Sequence, residues 1–366
     1  MNQHDLKAGD QLRRASELGR QSADIVAYGR NGETLSAVPL SGSRAGTIPR
    51  LFLEGSQSWW NEEMKVDFTR PYTRSLALDH VADYLQLMRP RLALMVLATA
   101  AVGWLLAAGS APDWIALRHS LLAIGMLFAG ASALNQLLER DTDALMPRTA
   151  NRPLPAGRLQ PLEVLIVGCG LSAGGLGYLL ATGQPLAAAL GVFALFSYLL
   201  VYTTLKTRTP LNTLIGAIPG ALPPLMGWAT ARGRLDSGAL ALFLIVFLWQ
   251  IPHFLAIAWI YRDQYARAGL RMFPLFDPDG ARTGQQMVWY TLVLIPTSLL
   301  PFLMGTSGRL AAFGAVILGV AFLCAAVAFA RNRTTPRAQH VFRSSLVYLG
   351  GLLLLFVLDA AMRAGM

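Results

Sequence analysis

The chain has 366 residues, 54% of them hydrophobic and 14% charged, with a formal net charge of +10. A soluble domain usually carries about 25% charged residues, so the composition excludes an ordinary soluble enzyme. Residues 1–80 hold ten basic and ten acidic side chains, whereas residues 81–366 hold 21 basic and 11 acidic. The basic excess therefore lies in the most apolar part of the chain, which points to a lipid bilayer and away from nucleic acid.

Residues 1–80 are polar, rich in Ser, Gly and Arg, and lack a sustained apolar run. They show no signal-peptide core, and five acids in the first fifty residues argue against a mitochondrial transit peptide. They read as a disordered extension ahead of a transmembrane domain over 81–366. The pair Trp59-Trp60 could instead dock at the membrane interface.

Six stretches lack Asp, Glu, Lys and Arg and approach or exceed the roughly 20 residues a span needs: 92–112, 119–138, 209–231, 237–261, 283–308 and 310–330. The stretch 164–205 is broken by Thr182-Gly183-Gln184-Pro185 and reads as two spans. A last span runs over about 344–362, giving nine, and an all-α bundle follows because each helix satisfies its own backbone in lipid. The connections after even-numbered spans, with Arg89 and Arg91, hold 16 basic residues against five on the other side. By the positive-inside rule the amino terminus is cytoplasmic and the carboxyl terminus outside. Cys169 and Cys324 have no metal or redox spacing and read as small core residues.

The basic loops also carry chemistry. In the first, Asn135, Glu139 and Asp143 are spaced by four, which on a helix is about 40° of drift and about 6 Å of rise per step. Their oxygens share one face, as a hard cation such as Mg²⁺ needs, and Arg140, Arg148, Arg152 and Arg158 accompany them. Simple ion pairing is the alternative, but carboxylates at the end of a membrane helix are costly enough to suggest function. In the second loop Lys206 is the only lysine of the membrane region, and it follows Tyr202. A compact ammonium there suits a phosphate. The third region holds His253 directly after Pro252, where a kink is expected, and then Arg262 and Asp263. An apolar-face histidine is more often structural. Carboxylates, arginines and a lysine around an apolar bundle suit an amphiphile with an anionic, metal-binding head and a greasy tail.

These strings resemble the UbiA superfamily of intramembrane prenyltransferases, in its haem O synthase branch. The resemblance covers roughly residues 82–360. It rests on Arg89-Pro-Arg91, Asn135-x3-Glu139-x3-Asp143 with Arg152-Pro-Leu-Pro-Ala-Gly-Arg158, Tyr202-Thr-x-Leu-Lys206, Pro223-Pro-x-x-Gly227-Trp228, Trp249-Gln-x-Pro-His253-Phe, and Tyr265-Ala-Arg-Ala-Gly269. It implies transfer of farnesyl from farnesyl diphosphate to a vinyl group of protohaem IX, giving haem O for terminal oxidases, in a multi-pass plasma (inner) membrane protein. Haem-modifying or oxidase assembly proteins would be its protein partners.

By this resemblance Asn135, Glu139, Asp143 and Asp263 would hold Mg²⁺. Arg148, Arg152 and Lys206 would neutralise the diphosphate, with Arg158, Tyr202 and Arg262 in the substrate site. His253 would sit near the porphyrin, as iron ligand or proton carrier. Two departures stand out. Arg267 lies where the wider superfamily repeats an acid four residues after Asp263, and Gln264 replaces the acid before Tyr265. A second metal site would rest on Asp263 alone, with Asp277 or Asp279 as helpers or mere turn residues. Rival readings are a prenyltransferase acting on an aromatic quinone precursor, and a carrier of an anionic amphiphile.

Overall fold

The computed structural model describes residues 24–28, 34–39, 76–109 and 112–364. The chain separates into two units, Met1–Thr73 and Arg74–Met366. In the first, β1 (Asp24–Tyr28) pairs antiparallel with β2 (Thr34–Pro39), Ile25 opposite Val38 and Ala27 opposite Ser36. β-branched residues such as Ile25, Val26 and Val38 favour these strands. Trp59-Trp60 lies outside the described residues.

The second unit begins earlier than residue 81, with helix α1 (Leu76–Leu87). Nine helices long and apolar enough to span a membrane follow among the described residues: α2 (Pro90–Ala108), α3 (Trp114–Leu138), α4 (Pro161–Ala181), α5 (Pro185–Leu205), α6 (Asn212–Arg232), α7 (Ser237–Ile260), α8 (Ala281–Leu303), α9 (Arg309–Arg331) and α10 (Thr335–Arg363). The chain is thus a multi-pass membrane protein. Each span packs on the next in chain order, and α10 closes the ring against α2.

Local chemistry starts and stops these helices. Asp113 and Asp236 cap α3 and α7 by accepting from backbone N–H groups of Ile115 and Ala116, and of Gly238 and Ala239. The cap of α9 comes from another helix: Asp359, buried on α10, accepts from Gly308 and Ala311 N–H, each at 2.8 Å. Pro252 sits inside α7 without ending it, since the helix runs on to Ile260. Cys169 and Cys324 are exposed, not in the core as expected. In lipid a small apolar side chain is at no cost on either face, so an apolar span does not tell inside from outside.

The spans α6 and α7 are the most buried, at 61% of their apolar windows. Glycine makes this possible. A Cβ on Gly227 would lie 1.9 Å from the Ala100 carbonyl oxygen, and one on Gly103 would lie 2.2 Å from that of Pro224. Backbones of α2 and α6 therefore touch directly. Gly227→Ala should destabilise the protein by about 1–3 kcal/mol through overpacking. Gly170→Ala, where an added Cβ meets nothing within 4 Å, should leave the thermal midpoint in detergent unchanged.

Candidate active site

The site starts where α3 runs out. Its last residue is Leu138, Glu139 forms the C-cap, and a short helix Arg140–Ala144 follows. The i to i+4 rungs continue across this break: Glu139 N–H donates to Asn135 O at 3.0 Å, and Asp143 N–H to Glu139 O at 2.7 Å. The spacing by four thus keeps its geometry although the helix is interrupted. Each carboxylate meets a cation from elsewhere. Glu139 Oε1 accepts from Lys206 Nζ at 2.5 Å, and Asp143 Oδ2 from Arg152 Nη1 at 2.5 Å.

Lys206 is placed by an unusual turn. Residues Phe196–Tyr202 of α5 form a π-helical segment, a feature often found at functional sites. It stacks Tyr198 on Tyr202 with ring centroids 5.7 Å apart, and Lys206 Nζ lies 4.4 Å from the Tyr202 ring centroid. Behind it, Arg271 N–H donates to the Lys206 carbonyl at 2.7 Å, and Asn212 Nδ2 to the Arg271 carbonyl at 2.8 Å. Two loops distant in sequence are thereby tied together. Arg148 Nη2 donates to Tyr265 Oη at 3.2 Å, with its guanidinium 4.8 Å from the Tyr261 ring centroid.

These residues open onto two cavities. The polar one, about 670 Å³, is lined by Glu139, Asp143, Arg148, Arg152, Tyr202 and Lys206 among others. The apolar one, about 330 Å³, reaches inward past Phe128, Met226, Trp249 and His253. Arg89, Leu92, Tyr202, Lys206 and Phe254 line both, so charge stands at the mouth of an apolar chamber. Burial would push the Glu139 carboxyl up, but Lys206 and Arg89 hold it below the usual carboxylate range. Burial raises Asp143 above that range even though Arg152 opposes it. Burial also works against the Lys206 ammonium, yet Tyr202 and Glu139 raise it above its ordinary value. The three therefore differ in how readily each keeps its charge.

Of the other sequence candidates, one stands behind the site and three lie elsewhere. Asn135 is fully buried behind the acids and lines neither cavity; its Oδ1 accepts from Arg89 Nη2 at 3.2 Å, and its Nδ2 donates to Thr203. Arg158 pairs with Asp83 at 2.9 Å and donates to Gln86 and Asn151, pinning α1 to the loop. Arg262 lies over the Trp259 ring, 4.5 Å from its centroid, and the Asp263 side chain is 83% exposed, its one cationic neighbour among the described residues being Arg262 at 3.9 Å. Asp263 does not face the carboxylates, because the short helix Arg262–Arg267 turns Tyr265 inward instead. Asp277 spends its oxygens on Thr283 and Arg282 at the start of α8, and Asp279 lies 3.8 Å from Arg333. Among the described residues no three His, Cys, Asp or Glu side chains gather as a metal-binding group, so Glu139 and Asp143 stand as a pair.

Arg89, a topology residue by sequence, joins the site in the structure. Arg89 caps α2 at φ 50°, the only non-glycine residue with positive φ among those described. For such a residue this conformation costs about 1–3 kcal/mol. It directs the guanidinium to Asn135 and into both cavities. Its position immediately before Pro90 signals only a helix boundary, since proline disfavours helical backbone in the preceding residue.

The UbiA prenyltransferase family profile matches residues 96–350. A protoheme IX farnesyltransferase of Solibacter usitatus is 43% identical over 286 residues, covering 76% of this chain and 98% of that protein. One of Myxococcus xanthus is 44% identical over 292 residues, covering 79% and 99%. Among solved structures, one reported for digeranylgeranylglyceryl phosphate synthase aligns with a TM-score of 0.66 at 17% identity, covering 78% of this chain and 99% of the other. A UbiA homolog from Archaeoglobus fulgidus bound to GPP and Mg²⁺ aligns with a TM-score of 0.57 at 18% identity, covering 78% and 100%. At these identities the solved structures establish a shared fold.

The Glu139–Lys206 contact makes a separable prediction. Lys206→Met alone should strand a largely buried carboxylate and cost about 3–5 kcal/mol. The Glu139→Gln/Lys206→Met double variant should recover most of the lost thermal midpoint. Equal melting of single and double variants would show that an unpaired Glu139 carboxylate is not what destabilises the single variant.

Proposed function

Because this chain belongs to the UbiA prenyltransferase family, we propose that it transfers the farnesyl group of farnesyl diphosphate to a vinyl group of protohaem IX, giving haem O. The observation that carries the reading is the shared wall of the two cavities. A substrate with an anionic head and an isoprenoid tail matches charge that opens onto an apolar chamber. Relatives at 38–45% identity named protoheme IX farnesyltransferase support the acceptor.

Arg89, Arg148, Arg152 and Lys206 bind the diphosphate and stabilise the charge that builds on it as the bond to farnesyl C1 breaks. Glu139 and Asp143 would hold Mg²⁺, for each commits one named oxygen to a cation and keeps a second for a hard divalent ion. What Mg²⁺ supplies when bound is Lewis-acid stabilisation of the leaving diphosphate. Asn135 acts through Arg89 in this arrangement. The apolar walls exclude water from the allylic cation until the vinyl carbon attacks C1. The new carbon–carbon bond leaves a cation beside the porphyrin, and water adds there with loss of a proton, completing a hydroxyethyl–farnesyl side chain.

The catalytic unit is the membrane domain, in the plasma membrane, with the cavity-bearing basic side cytoplasmic and the carboxyl terminus outside. Mass spectrometry of extracted haems after expression tests the reading. Haem O should appear with this chain, and Asp143→Ala should reduce it by about 100-fold or more. Chelation of divalent ions in purified protein should stop pyrophosphate release, and added Mg²⁺ should restore it. A prenylated quinone precursor with unchanged haems would overturn the proposed acceptor.

A further inference from the structure

We infer that Ser345 positions His253 so that its Nε2 lone pair faces the apolar cavity as an axial ligand for the iron of the acceptor porphyrin. The inference rests on the proposed acceptor being a haem. Trp249 and His253 are four apart on α7, and both engage Ser345 on α10. Trp249 Nε1 donates to the Ser345 carbonyl at 2.7 Å, and His253 Nδ1 lies 2.7 Å from Ser345 Oγ.

Ser345 Oγ in turn donates to the Phe342 carbonyl at 2.6 Å. A hydroxyl has one proton. With that proton on Phe342, the oxygen accepts from His253, so Nδ1 carries the imidazole proton and Nε2 keeps its lone pair. Among the described residues Nε2 has no hydrogen-bond partner, and His253 forms part of the cavity wall.

The ring is also fixed in orientation. It stacks on Trp249 at 4.8 Å and 26°, lies against Phe342 at 5.1 Å, and meets Phe254 edge-on at 5.6 Å. A ligating histidine held through its other nitrogen by a fixed acceptor is the usual arrangement at metal centres, and imidazole suits iron. Proton transfer fits less well. Among the described residues the only polar partner of the ring sends its own proton to a helix carbonyl, and no carboxylate bonds to the imidazole. A proton taken at Nε2 would have no onward path through these groups.

The test is a ferric protohaem titration of the full chain in nanodiscs, followed by Soret absorption and electron paramagnetic resonance. Wild type should show an axial-nitrogen signature. His253→Ala should lose it, and added imidazole should restore it. Ser345→Ala should perturb the signature and weaken haem binding about tenfold or more, with Ser345→Thr close to wild type and the KM for farnesyl diphosphate unchanged. That selectivity separates positioning of the ring from general misfolding. Wild-type spectra and affinity in both alanine variants, with haem O still formed, would overturn the inference. A chain that shows the histidine signature but makes no haem O would instead overturn the proposed function and leave the ligand assignment standing.

Discussion

Charge held at the edge of hydrocarbon must be paired, and this constraint shapes the site. Glu139 and Asp143 sit where α3 ends, too buried to rely on water. Each finds a cation contributed from outside its own helix, Lys206 after α5 and Arg152 from the following loop. Desolvating such groups costs several kcal/mol each, and the cost is offset only by close, well-oriented partners. The same cations then stand ready for an anionic head group. Binding that head means exchanging one set of charge pairs for another, without exposing a bare charge to lipid.

The packing of the bundle makes those partners available. Direct backbone contact of α2 with α6 through Gly103 and Gly227 brings Arg89 and the proline-rich turn of α6 to one chamber. The π segment of α5 turns Tyr198, Tyr202 and Lys206 to the cavities, and Gly216 leaves room for the Tyr202 ring, which an added Cβ would meet at 2.5 Å. A backbone bond from Arg271 and a side-chain bond from Asn212 fasten the two loops on that side. Conformational cost is concentrated at Arg89, whose left-handed backbone accompanies its bond to Asn135.

The parts of the site visible in the sequence are those set by local period. Glu139 and Asp143 share a face because four residues make about one turn, and Lys206 was marked by a composition that otherwise uses arginine. Asn135 fits the same period yet turns to Arg89, since a helix face also has a depth that spacing does not encode. Asp263, Arg262 and Arg158 carry suitable charges in suitable loops, but short helices and a tether to Asp83 direct them outward. Arg89 looked like a topology signal because its role depends on a contact with Asn135, 46 residues away.

By itself the sequence determined the number of spans, the basic side, the extension ahead of them and the carboxylate–cation motifs, because hydropathy, charge and helical period act over a few turns. Tertiary structure decided which charges share a cavity, which cysteines face lipid, and how His253 is held. That last contact joins α7 to α10 across 92 residues. It forms only after the bundle closes, because no local preference places a serine hydroxyl beside an imidazole so distant in the chain.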